Sequence, residues 1–121
     1  MSGNSSRASH ALISWLPRER GGRERLPPGP VYSTMARFED DSRWPHEAWS
    51  VVVEFVRSFN EGRYTLAAIR FLSPSGPNEL LEEGNRFELL EGGRRVAKGV
   101  ILPERVDVPA ELNPFETALI G

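Results

Sequence analysis

The chain contains no cysteine, a single lysine (Lys98), two histidines and two methionines. Without cysteine there is no disulfide staple, no thiolate zinc or iron–sulfur site and no cysteine nucleophile. No apolar run approaches the roughly 20 residues that a membrane helix needs, and the interrupted stretch Ala11-Leu12-Ile13-Ser14-Trp15-Leu16 is too short for a secretory leader. Charge of one sign is also lacking. The net charge of −2, with 26% charged residues, matches neither a polybasic nucleic-acid binder nor an acidic disordered chain. Nothing resembles the glycine-rich lysine loop that cradles nucleotide phosphates, so no nucleotide is expected as ligand. What is present is 121 residues, 39% of them hydrophobic, enough for one modest domain of the usual roughly 50–200 residues.

Charge and composition divide that length. Residues 1–30 carry Arg7, Arg18, Arg20, Arg23 and Arg25 against Glu19 and Glu24, a net +3, which leaves −5 for the other ninety-one residues. With Gly21-Gly22 and Pro27-Pro28-Gly29-Pro30, this stretch reads as a flexible arm carrying one weak helical turn near Ala8–Leu16 that ends at Pro17. After it, a short-period apolar pattern rich in β-branched and aromatic residues predicts strands. Tyr32, Thr34, Ala36 and Phe38 share one face of the first, and Trp49, Val51, Val53 and Phe55 share one face of the second, which makes Trp49 a core residue. A third segment, Arg63–Leu72, follows the turn Asn60-Glu61-Gly62. The sharpest local signal is Arg86–Glu91, then Gly92-Gly93, then Arg94–Leu102: two alternating runs joined by residues able to take the positive φ of a two-residue hairpin. Phe87 and Leu89 are expected on one face, and Val96, Val100 and Leu102 together on the return strand, with Gly99 marking a bulge or a close approach. Val106 and Val108 suggest a short edge strand, and residues 109–121 a tail. Five or six short strands in residues 31–108 predict an all-β fold, a small closed antiparallel barrel, since an open sheet of this size exposes its edges and buries too little.

Chemistry is sparse. His46 with Asp40, Asp41 and Glu47 offers metal-ligand atom types on one loop, but the second histidine, His10, lies in the arm, and an acidic surface loop accounts for the pattern; neither metal nor cofactor is expected. Glu82-Glu83 fall on opposite sides of an extended backbone, which suits a solvated turn rather than an acid/base pair. No serine sits in a discernible Ser-His-Asp arrangement. Trp44, beside Pro45 in the loop, is a candidate aromatic anchor for a partner.

A further reading rests on sequence elements in order: Arg70–Pro74, Glu82-Glu83-Gly84, Arg86-Phe87, Glu91-Gly92-Gly93-Arg94 and Val96–Ile101. This succession resembles the third domain of bacterial translation elongation factor Tu, closely over Glu79–Leu102 and loosely over much of the middle of the chain. The resemblance implies a Greek-key barrel of about six strands and a bacterial, cytoplasmic, translation-related setting. It implies that Glu91, Gly92 and Gly93 stand where that family meets the T stem of tRNA, and Arg86 and Phe87 where it faces its GTPase domain. Leu90 and Ser73 stand where the family has residues able to reach phosphate, which removes donors from a tRNA surface. Arg94, Arg95 and Lys98 complete the candidate surface. The expected function is non-catalytic binding of a macromolecule, foremost a protein partner or a second copy of the chain. The alternative is a tRNA-associated module; a small hydrolase or ligand-binding barrel built on His46 ranks third.

Overall fold

The computed structural model describes residues 8–20, 22, 27, 29–44 and 46–103. Six strands form in chain order: β1 (Ser9–Trp15), β2 (Val31–Phe38), β3 (Trp49–Phe59), β4 (Tyr64–Phe71), β5 (Arg86–Glu91) and β6 (Arg94–Ile101). They close into one antiparallel barrel in the order β1-β4-β3-β2-β5-β6. Strands β2, β3 and β4 follow one another as a meander, and β5 returns across an end to pair with β2, which is a Greek key. Among the described residues no helix is long and apolar enough to cross a membrane.

Alternation explains what faces inward. Ala36 and Phe38, Val51 and Val53, Ala67, Ile69 and Phe71, and Phe87 and Leu89 are all buried, as a period of two predicts. Small side chains keep the interior narrow: Ala11 lies opposite Ala67, and Ala97 opposite Leu89. Tyr32 and Phe55 gather around Trp15 at one end. Phe38, Phe71 and Phe87 fill the other, where Leu80 and Leu81 of the β4–β5 connection join the core. Trp49 packs partly buried against that cluster, edge-on to Phe71 at 6.5 Å.

The largest correction concerns the N-terminal stretch. Ser9–Trp15 is neither flexible nor helical; it is β1, paired along one side to β4 and along the other to β6. Without it the sheet would have two open edges, and Ala11, Ile13 and Trp15 bring three core side chains. The barrel therefore starts at Ser9 and not at Val31. Val106, Val108 and residues 109–121 lie outside the described residues.

The second correction is one of register. Leu89 pairs with Ala97 but Leu90 pairs with Arg95, so Val96 is the extra residue of a bulge. The bulge lets Val96 and Ala97 both be fully buried and reverses the phase beyond it. Ile101, not Val100, then meets the core, and Val100 and Leu102 are only half-buried. Gly99 is a close approach instead: it sits opposite Phe87, whose ring fills the place of the missing side chain.

The hairpin between β5 and β6 forms as expected, with Gly92 at φ 58° and Gly93 at φ 80°. Added Cβ atoms would meet nothing within 4 Å at either position. Gly92→Ala and Gly93→Ala should therefore each cost about 1 kcal/mol through backbone conformation alone, whereas Gly92→Asn should be nearly neutral. Chemical denaturation of the three variants checks this.

Candidate interaction face on the β5–β6 hairpin

The candidate residues occupy one hairpin but not one spot. On β5 the side chains alternate from Arg86 to Leu89, so Phe87 and Leu89 enter the core while Arg86 and Glu88 keep to the surface; Leu90, beside the bulge, is buried as well. Arg86 lies at the end of the hairpin next to the loop that follows β2, where the Glu39 amide donates to its carbonyl at 2.8 Å. Gly92 and Gly93 lie at the opposite end, roughly 17–20 Å away at about 3.3 Å per residue. Lys98 is between them, across from Glu88. Phe87 contributes to the floor of a surface cleft, but its ring is buried and stacked against Phe38, so it is a core residue first. Glu91 accepts a hydrogen bond from the Tyr32 hydroxyl, which ties the base of the turn to β2. Gly92, Gly93, Arg94 and Arg95 are exposed.

Strand order adds a residue that sequence reasoning missed. β2 pairs with β5 and sets Arg37 directly opposite Glu88. Glu88 then bridges Arg37 at 3.5 Å and Arg95 at 2.8 Å. Such exposed pairs contribute about 0–1 kcal/mol each, so their importance here is placement rather than stability. Arg37, Glu39, Arg86, Glu88 and Lys98 ring an open cleft of about 270 Å³ floored by Phe87 and Gly99. Leu90 shows little surface, enclosed on a strand whose neighbours opposite it are Met35 and Arg95.

The other candidates resolve differently. Trp44 is half-buried in the loop after β2, toward the Arg86 end of the barrel. The acidic side chains of that loop converge on a guanidinium: Arg43 reaches Asp41 at 3.4 Å, Glu47 at 3.5 Å and Glu79 of the β4–β5 connection at 3.5 Å. That bridge staples two loops together and engages carboxylates that a metal at His46 would require. Among the described residues no group of three or more such side chains is arranged to hold a metal ion. His10, expected in a flexible arm, is instead part of β1 and lines a recess with Glu82 and Glu83, both exposed on their turn.

The cleft can offer charged hydrogen-bond donors beside acceptors on a platform of three hydrogen-bonded strands, β2, β5 and β6. No protein-family model matches the chain, and no curated protein matches it.

Proposed function

We propose that this chain is a non-catalytic β-barrel that binds another protein through the outer face of β2, β5 and β6. The observation that carries the reading is the mixed charge of the cleft: Arg37, Arg86 and Lys98 line it together with Glu39 and Glu88. A nucleic-acid backbone presents negative charge at every repeat and would meet those two carboxylates at close range. A protein segment, which carries donors, acceptors and both signs of charge, can satisfy all five side chains.

The likeness to the third domain of elongation factor Tu belongs to this proposal. The Greek-key order and the turn at Gly92-Gly93 support it, because both are what the likeness implies. A bacterial, cytoplasmic setting is proposed on the same ground. Leu90 weighs against a retained tRNA surface, since an enclosed leucine donates nothing to phosphate.

Titration with tRNA at two salt concentrations tests the choice of partner. The expected result is weak association that changes little between Arg94→Ala, Arg95→Ala and the parent chain. Tight binding that falls steeply with salt, and falls again on removing Arg94 or Arg95, would replace the protein partner by RNA.

A further inference from the structure

Beside the charged cleft the barrel carries a second depression, of about 230 Å³, lined mainly by apolar surface from Leu12, Tyr64 and Val100, with Ser14, and bordered by Arg86 and Lys98. Its walls come from neighbouring strands in register: Leu12 of β1 lies opposite Val100 of β6, and Ser14 lies opposite both Lys98 of β6 and Tyr64 of β4. Arg86 faces Val100 across the hairpin. The two cations on this rim differ from Arg37 and Arg95, which share Glu88. Neither the Arg86 nor the Lys98 side chain has a hydrogen bond or ion pair with another described residue, and both are exposed. The result is an apolar groove with two unpaired positive charges along one side.

An occupant of matching chemistry is written into the chain. Residues 104–121 follow directly on Pro103, and β6, which ends at Ile101, is itself a wall of the groove. They carry Val106, Val108, Leu112, Phe115, Leu119 and Ile120, and they set Glu104, Asp107, Glu111 and Glu116 against Arg105 alone, a net −3. The distance back from Ile101 to the level of Lys98 is roughly 10 Å, three residues of strand, and 18 residues can span several times that.

We infer that residues 104–121 dock into the groove of their own chain, setting apolar side chains over Leu12, Tyr64 and Val100 and carboxylates against Arg86 and Lys98. Attachment gives this segment a high effective concentration at the groove, so modest contacts suffice. Docking does not depend on the proposed protein partner, but it covers two cations of the same face, and a partner engaging them must displace the segment.

The absence of cysteine makes the test clean, because Thr117→Cys introduces a single thiol into the 121 residues. With a nitroxide at that position, the backbone amides of Leu12, Ser14, Tyr64 and Val100 should lose most of their intensity and regain it when the label is reduced. Reversing the tail charges (Asp107→Lys with Glu111→Lys), which leaves every barrel residue in place, should restore those amides while the rest of the spectrum is unchanged. Arg86→Glu with Lys98→Glu should do the same from the barrel side. Broadening that is absent or spread evenly over the surface overturns the inference, as does broadening that persists through both charge reversals. Broadening seen only when labelled chains are mixed with unlabelled, isotope-enriched ones assigns the groove to a second copy, and overturns docking within one chain. Failure of tRNA or protein binding elsewhere on the face leaves these readouts untouched.

Discussion

Replacing Trp15 with alanine is expected to remove about 4 kcal/mol of stability, a large part of the roughly 5–15 kcal/mol that holds an ordinary domain together. Trp15 is 2% exposed, stands edge-on to Tyr32 at 5.6 Å and leans on Phe55 at 6.1 Å. Its indole N–H donates to the Thr65 hydroxyl at 2.9 Å, and Thr65 is the one buried polar residue of the described core. Truncation therefore opens a cavity and strips a fully enclosed hydroxyl of its donor, two costs that add. Trp15→Phe keeps a ring in place and loses the hydrogen bond, so it should cost about half as much. Combining it with Thr65→Val should recover part of that loss, since removing both partners leaves no orphaned polar group. Denaturant midpoints of the four chains measure the series. An unchanged midpoint for Trp15→Ala would mean that β1 is not part of the barrel.

Gly99→Val should be nearly as damaging, at about 3 kcal/mol. A Cβ at residue 99 would come within 2.2 Å of the tip of the Phe87 ring and within 2.7 Å of both atoms next to it. The ring cannot swing away, because it is 2% exposed and packed 5.2 Å from Phe38. Nor can the backbone yield easily, since β6 is hydrogen-bonded to β5 on one side and to β1 on the other. The clash is with one side chain, so shortening that side chain should relieve it. Phe87→Leu should rescue Gly99→Val, giving a favourable coupling of about 1–2 kcal/mol in a double-mutant cycle. Simple additivity of the two substitutions would show that Phe87 does not occupy the space that glycine leaves.

These two positions also mark how far the chain can be read without its structure. Alternation over Tyr32–Phe38, Trp49–Phe55 and Phe87–Leu89 is local, and it places core residues correctly because each strand carries its own period. β1 carries the same signal in Ala11, Ile13 and Trp15. It is obscured because seven residues of strand are embedded among arginines, glycines and prolines whose composition dominates a thirty-residue average. The bulge at Val96 escapes for another reason: a doubled residue in one strand is defined only against its partner, and Val96-Ala97 looks like ordinary alternation when read alone. The candidate face divides in the same way. Gly92-Gly93 and the residues around it are readable as a hairpin. The pairing of Arg37 with Glu88 is not, because it requires knowing that β5 returns to β2. Phe87 shows the two kinds of reading in conflict: its alternation with Leu89 assigns it to the interior, whereas the family resemblance places it on a contact edge. In the barrel its ring follows the alternation.

The amide of Leu102 donates to the carbonyl of His10 at 2.9 Å, so the points where the chain enters and leaves the barrel are neighbours on one ladder. Entrance and exit lie roughly 5 Å apart, the spacing of adjacent strands. A unit with that geometry behaves topologically like a bead on a thread. It can be spliced into a surface loop of a host protein without prising the host's backbone apart, and it can be re-cut at the exposed Gly92-Gly93 turn with its old ends joined. For such a bead the order of strands along the gene is a convention, and the cyclic order around the barrel is the invariant.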